Sequence, residues 1–417
     1  MATTHTDTTV HKDGTVSGGI TGSNRPPAWS DRGGHASTYP CKGCGAELKF
    51  QPGTKELVCP YCATRQEITS GDPHEVRERD FESMLAELAA GRKGSESGVL
   101  DMVVVHCDGC QAETQLQPNV TSQACPFCGT PIVATAKSVK LVKPNAIIPF
   151  VVTAKQAEES FARWLKGLWF APSNLSKFAH FDASASDLRS RMGSGGSALA
   201  GMYLPFWTYD ANTSTDYEGM RGDDYWETEW VTIMVNGSPQ RQARQVRKTR
   251  WTRVSGHVSN FHNDVLVLAS HSVNPDKMRK LGGYDLNALR VYDDAFLSGF
   301  RSESYAVDLP EGFQQAKVEM QRQIEASICR DIGGDHQRIT HAQSDYSDIM
   351  FKHVLLPVWV SAYRYGSRTF QFMVNGQSGA VVGERPYSAW KIAFLVIAIL
   401  IAIGTIVAIG ALKGGSH

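Results

Sequence analysis

The chain has no excess of charge of either sign: 42 Lys and Arg stand against 42 Asp and Glu in 417 residues. It therefore has no global basic field to draw in nucleic acid. Familiar catalytic signatures are missing as well. No G-x-x-x-x-G-K-[ST] is present, which excludes a P-loop motor, and there is no H-E-x-x-H. The Gly-Ser run from Gly193 to Ser197 does not complete G-x-S-x-G. Large apolar residues are almost absent from the first forty positions, which are rich in Thr, Gly and Ser. Such a stretch cannot bury enough surface to fold, so 1–38 is expected to be a disordered tail. It carries no continuous apolar run after Met1 and does not read as a secretory signal.

Cysteine is scarce but ordered. Of nine, eight fall into four C-x-x-C pairs: Cys41/Cys44, Cys59/Cys62, Cys107/Cys110 and Cys125/Cys128. "CKGCGAELKFQPGTKELVCPYCAT" and "CDGCQAETQLQPNVTSQACPFCGT" share one frame, C-x-G-C-x-A-E, then Q-P, then C-P-aromatic-C-x-T. A C-x-x-C turn points two thiolates at one place, and two turns supply the four tetrahedral corners that zinc accepts. The spacing predicts zinc ribbons over 39–70 and 101–135, each with a short hairpin between its turns and one structural Zn2+. Disulfides would need an oxidising compartment, to which no signal points. A redox C-x-x-C opens a helix in a βαβ unit, whereas these turns carry Pro and Gly. With four thiolates on each ion no corner is left for substrate or water, so these metals are expected to hold shape and not to catalyse. The ninth, Cys329, lies beside the apolar side of a predicted helix (Phe313, Met320, Ile324, Ile328) and reads as an inert packed thiol.

Near the other end, Ile392 to Leu412 contains no charged residue. Helical rise over that length matches roughly 30 Å of hydrocarbon, and Trp390, Lys391 and Lys413 flank it as interfacial residues would. A transmembrane tail anchor over 391–412 is expected, with the bulk of the chain on the cytoplasmic side of a bilayer. Gly404 and Ala408 form a weak small-x-x-x-small pair.

Between the ribbons, 72–91 reads as a linker helix that Asp72, Pro73 and Glu75 would start, with Phe81, Leu85 and Leu88 on one face. Residues 140–386 read as an α+β body with antiparallel sheet. Helical patterns lie in "TAKQAEESFARWLKGLW", "DLNALRVYDDAFLSGF" and "PEGFQQAKVEMQRQIEASIC". Strand patterns lie in "MYLPFWTYDANTSTDYEG", "YWETEWVTIMV", "VRKTRWTRVSGHV" and "DVLVLAS". "HVLLPVWVSAYRYGSRTFQFMVNGQSGAVVG" is cut by turn signals into a three-strand meander. "LPFW" at Leu204, "LPVW" at Leu356 and "IIPF" at Ile147 echo one another, as a duplicated unit would.

Two clusters invite a site. His257, His262, Asp264 and His271 are close in sequence but do not share a face in strand alternation. Arg241, Arg244, Arg247, Lys248, Arg250 and Arg253 surround Trp251. They suit an anionic ligand, phosphate of nucleic acid or lipid. They also suit plain cross-strand pairing with Asp223, Asp224, Glu227 and Glu229, which is the preferred reading because such pairs are ordinary sheet chemistry.

The tandem ribbons, "RWTRVSGHV", "DVLVLAS", "LSGFRSESY", the "VNGQSGAVVG" block and the apolar terminus together resemble one bacterial family. Its members are labelled TFIIB-type zinc-ribbon proteins or, misleadingly, primosomal protein N-prime-like helicases. That resemblance covers everything after the N-terminal tail. It implies a membrane-anchored, non-catalytic adaptor for cytoplasmic proteins in phage-shock-type envelope stress, recruiting a phage-shock protein A-like, ESCRT-III-related scaffold. All eight ligand cysteines of the family pattern are present. The alternative is a tethered zinc-ribbon protein that binds nucleic acid.

Overall fold

The computed structural model describes residues 39–69, 76–90, 99–106, 113–115, 122–124, 131–133, 137–172, 199–235, 238–365 and 368–414. Of these, the residues of 99–106, 113–115, 122–124, 131–133, 137–141, 235, 362–365, 368–369 and 406–414 are described by their backbone alone. The expected disordered tail and the proposed start of the linker helix lie outside these residues.

A small sheet opens the fold: β1 (Lys49–Phe50), β2 (Glu56–Val58) and β3 (Arg65–Glu67) pair in that order, all antiparallel. Strand β4 (Arg79–Asp80) leads into helix α1 (Phe81–Ala89). The helix is shorter than the sequence suggested because Asp80 caps it, accepting from Ser83 N–H at 2.8 Å, while 76–78 are non-helical. Strands β5 (Val99–His106), β6 (Glu113–Gln115), β7 (Ser122–Ala124), β8 (Pro131–Val133) and β9 (Lys137–Val142) follow. β5 pairs with β6 and β9, and β7 with β8.

The body begins with β10 (Ala146–Ile147) and α2 (Ala154–Lys166). A capping box closes the start of α2, Thr153 and Gln156 satisfying each other's backbone N–H. Two strands of unusual length come next, β11 (Ala200–Val235, 36 residues) and β12 (Ser238–Leu268, 31 residues). Helix α3 (Pro275–Lys280), β13 (Arg290–Val291) and β14 (Arg301–Ser302) lead to α4 (Leu309–Ile332). β15 (His336–Tyr365), β16 (Arg368–Asn375), β17 (Val381–Gly383) and α5 (Ala389–Gly414) complete the chain.

The main sheet runs β12-β11-β15-β10-β13. β15 pairs with β11 along one edge, and along the other it meets β4, β10 and β16 in turn. β15, β16 and β17 form an antiparallel meander. "DLNALRVYDDAFLSGF" is not a helix. Asp285 and Asp293 fold back onto the N–H groups of Asn287 and Ala295, breaking it into two 3-10 turns, and Arg290–Val291 pairs with β10.

Helix α4 lies along one face of the long strands. Its buried residues Leu309, Phe313, Ala316, Met320, Ile324, Ile328 and Ile332 recur at three- and four-residue intervals. They meet Trp207, Tyr209, Ala211 and Tyr217, which alternate along β11. Trp207 Nε1 donates to Val307 O at 2.9 Å and Tyr209 Oη to Leu309 O at 2.7 Å, tying the helix start to the sheet. The helix ends at Ile332, where Gly333 takes φ +65°. β15 leaves β11 near there, its last pair being His336 with Gly222. Beyond Gly222, β11 and β12 continue alone as a two-stranded ribbon, roughly 40 Å long at about 3.4 Å per residue.

Helix α5 forms over the apolar terminus, but among the described residues no helix is long and apolar enough to cross a membrane. Nor is Lys391 a free interfacial anchor: it donates to Ala171 O at 2.8 Å, holding the helix base to the body. This corrects the expected α+β architecture that ended in a transmembrane helix at 391–412, and with it the single-pass location in the cytoplasmic membrane. What stands is an antiparallel, sheet-rich body carrying a cysteine ribbon.

Candidate metal centre

The four thiols of the first ribbon converge. Sγ atoms of Cys41, Cys44, Cys59 and Cys62 all lie within 4.8 Å of one another. Cys41 Sγ is 3.4 Å from Cys62 Sγ, and Cys44 Sγ is 3.5 Å from Cys59 Sγ. A tetrahedral ion with bonds of about 2.3 Å would set its thiolates roughly 3.8 Å apart, so the set is positioned to bind one metal.

Two similar turns build this arrangement. In the first, Gly45 N donates to Cys41 O at 2.8 Å and Cys41 N to Ala46 O at 2.7 Å. In the second, Ala63 N donates to Cys59 O at 3.1 Å and Cys59 N to Thr64 O at 2.9 Å. The residue after the second cysteine has positive φ in both, +76° at Gly45 and +58° at Ala63. Gly43 N–H points at Cys41 Sγ from 3.4 Å, and the Thr64 hydroxyl sits 3.1 Å from Cys62 Sγ. Burial raises the Cys41 thiol. The donors at Cys44, Gly43, Cys62 and Thr64 outweigh this and bring it down to about 6. At Cys44 the Ala46 N–H lowers the pKa, but the sulfurs of Cys59 and Cys62 outweigh it and push it up to about 12, so the four thiols do not ionise alike.

The ribbon is seated on the body. Leu48, Phe50, Leu57 and Ile68 are buried in one core with Phe150, Tyr203, Phe296 and Trp359. Phe50 N donates to Ser298 O at 3.0 Å, and the Ser298 hydroxyl donates back to Leu48 O. Cys41 and Cys59 are buried, while Cys44, Cys62 and the knuckle residue Tyr61 face solvent.

Cys107, Cys110, Cys125 and Cys128 lie outside the described residues. The strands around them repeat the first ribbon: Ser122, Gln123 and Ala124 pair with Val133, Ile132 and Pro131. These match Glu56, Leu57 and Val58 paired with Glu67, Gln66 and Arg65, displaced by one constant interval.

The histidine cluster does not assemble. His262 is buried on the α4 side between Thr213 (3.1 Å) and Gln323 (3.0 Å), and burial pushes its pKa down. His257 is exposed on the opposite face, 2.8 Å from Asp216. His271 is exposed beyond the strand end, and Cys329 is half-buried on α4.

Asp264 instead joins a group that sequence reading missed. Carboxylates of Glu78, Asp210 and Asp264 lie within 4.8 Å of one another, with Lys352 Nζ 2.7 Å from Glu78 and 2.6 Å from Asp264. A bulge at Tyr209/Ala211 and the positive φ of Asp264 (+52°) gather them. Burial, aided by a hydrogen bond to Glu78, raises Asp210 to about 6. Lys352 offsets much of the remaining charge, so the group closes on itself as an internal ion network.

Of the basic residues, Arg247 pairs with Asp224, and Lys248 reaches both Glu227 and Glu229 at 2.7 Å. Arg250 lies over the Tyr225 ring at 5.2 Å. Arg241, Arg244 and Arg253 are exposed and form no ion pair among the described residues.

The fold and site define a four-cysteine metal ribbon fused to a long-stranded antiparallel body. Compared with known proteins, the chain is similar to an uncharacterized protein of Bacillus subtilis (strain 168), YdjG, 25% identical over 359 residues, covering 85% of this chain and 92% of that one. No family model matches the chain. No solved structure matches it.

Proposed function

We propose that the protein is a non-catalytic adaptor whose metal ribbons are structural and whose partners are other proteins. The observation that carries this reading is the thiolate-saturated centre at Cys41, Cys44, Cys59 and Cys62, sunk into the same core as the sheet. Four sulfur ligands suit zinc and leave it no open position, so the ion fixes the ribbon against the body. The register repeated by β7 and β8 supports a second zinc at Cys107, Cys110, Cys125 and Cys128. The resemblance of the body motifs points to a phage-shock protein A-like scaffold as the partner.

The test is affinity purification of the full chain with and without nuclease, with partners identified by mass spectrometry and metal counted by elemental analysis. Two zincs per chain and a nuclease-resistant scaffold protein are expected. Fewer than two zincs would remove the second site. Partners that vanish on nuclease treatment, or that persist unchanged in a Cys59→Ser/Cys62→Ser variant, would overturn the ribbon-based adaptor.

A further inference from the structure

The two-stranded ribbon beyond Gly222 has two unlike faces. Directly paired residues of β11 and β12 share a face, so the register sorts every side chain. On the side that α4 covers nearer the body stand Asp223 opposite Arg250, Tyr225 opposite Lys248, and Glu229 opposite Arg244, with Glu227 between the last two. Most of these charges are spent on one another: Arg221 holds Asp223 at 3.0 Å and Lys248 holds Glu227 and Glu229, while Arg250 lies over the Tyr225 ring and Arg244 forms no ion pair among the described residues.

The other face is never covered by the helix. From Met220 outward it carries Arg253 and Arg338, then Trp251 over Gly222, then Arg247 beside Trp226, then Trp230, Arg241 and Met234. Gly222 is needed here because a Cβ would meet the Trp251 ring at 3.0 Å and Thr249 at 2.9 Å. Among the described residues Asp224 is the one carboxylate that the register sets on this outer face, and it is taken up by Arg247, His336 and Thr249, which leaves the arginines at 241, 253 and 338 in no ion pair there. Trp226 is 68% exposed, Trp230 63% and Met234 69%. They recur every fourth residue along one strand, roughly 14 Å apart at 3.4 Å per residue. Arg338 lies over the Trp251 ring at 5.0 Å, so a cation and an aromatic face are already stacked.

Exposed aromatic rings interleaved with surplus guanidinium groups are the chemistry that holds single-stranded nucleic acid: bases stack on rings while arginines meet phosphates. We propose that this face of the β11–β12 ribbon binds single-stranded nucleic acid without sequence preference. A neutral apolar partner would leave the arginines unmatched, and a cationic one would be repelled. The surface lies apart from the cysteine ribbon, so loss of the adaptor reading leaves it intact.

The test is fluorescence anisotropy of the full chain with a labelled oligothymidylate of about 20 nucleotides, titrated at low and moderate salt. Trp226→Ala/Trp230→Ala is expected to weaken binding roughly tenfold or more. Arg241→Ala/Arg253→Ala should weaken it and flatten the logarithmic salt slope by about 1.4, some 0.7 per lost phosphate contact. Arg244→Ala/Arg250→Ala, on the opposite face, should leave both unchanged. All six positions are exposed, and circular dichroism checks that the variants fold. No binding at low salt would overturn the proposal. So would equal losses from variants on either face, or binding to heparin or an acidic peptide with the same tryptophan dependence but none to the oligonucleotide.

Discussion

The ring of Phe50, on the cysteine ribbon, meets the ring of Phe296 edge to face with centroids 5.2 Å apart. Phe296 is fully buried and belongs to the turn whose Ser298 exchanges hydrogen bonds with Leu48 and Phe50. The ribbon is therefore built into the body. Its metal and the body's core should report on each other.

Phe296→Ala should cost about 3–5 kcal/mol, as for other buried aromatics reduced to alanine. It should also raise the rate at which a chelator strips the metal, because the ribbon loses its seat. Urea unfolding and chelator-competition kinetics on the same variant measure both. A metal-release rate unchanged in a clearly destabilised variant would show that ribbon and body are uncoupled.

Ala63 occupies the left-handed conformation that glycine fills at the matching place, Gly45. The strain of a Cβ there is relieved in Ala63→Gly, whose benefit is offset in part by the entropy of a freer unfolded chain. A net gain of about 0.5 kcal/mol in unfolding free energy is expected, with thiol geometry and metal content unchanged. A loss of stability would mean that the methyl group packs where the structure leaves it exposed.

Asp210 gives a pH dependence of definite sign. Its folded pKa is raised to about 6, so the folded state holds the proton more tightly than the unfolded chain. Stability from this group is present at low pH and is lost as pH rises from about 4 through 6. Asp210→Asn imitates the protonated form, keeping an acceptor for Asp264 N–H, which lies 2.6 Å from Oδ1. The variant should match the parent near pH 4 and exceed it by about 1–2 kcal/mol at pH 7.5. Denaturant midpoints at the two pH values decide it, and a variant weaker than the parent at pH 7.5 would show that the fold, through Lys352, favours the ionised Asp210 and that its pKa is not raised.

The cysteine ribbon was legible because its chemistry is local: C-x-x-C turns are complete within four residues. The sheet was legible in pieces. "LPFW" and "LPVW" echo each other and lie side by side, Leu204 opposite Leu356 and Pro205 opposite Leu355, with Ile147 of "IIPF" on the far side of β15. That four separate strand patterns join into two strands of 36 and 31 residues was not legible, since charged and Gly-containing stretches look like breaks. The network of Glu78, Asp210, Asp264 and Lys352 could not be seen either, being assembled from four distant segments by a bulge. The apolar terminus misled because an uncharged run specifies a helix without specifying what that helix rests on.

His353 supplies the opposite pH slope to Asp210, and the two can be separated. It is buried against Trp207 and Tyr305, with ring centroids 4.7 and 5.4 Å away, and its Nδ1–H donates to Val142 O at 2.8 Å. Burial drives its pKa down to about 4, and Arg79 adds to the effect. The folded state then binds fewer protons than the unfolded chain below the ordinary histidine range. Stability contributed by a neutral His353 is full above about pH 6.5 and is lost as pH falls toward 4. With one unit equal to about 1.4 kcal/mol, the loss amounts to some 2–3 kcal/mol. His262, also held neutral by burial, acts in the same direction. His353→Gln keeps a donor for Val142 O and has nothing to titrate. Its baseline at pH 7 will drop, because the ring no longer fills its aromatic cage. The quantity to read is the further loss between pH 7 and pH 4, which should be about 2–3 kcal/mol smaller in the variant. An equal loss in parent and variant would mean that this ring takes up its proton as easily inside the fold as outside it.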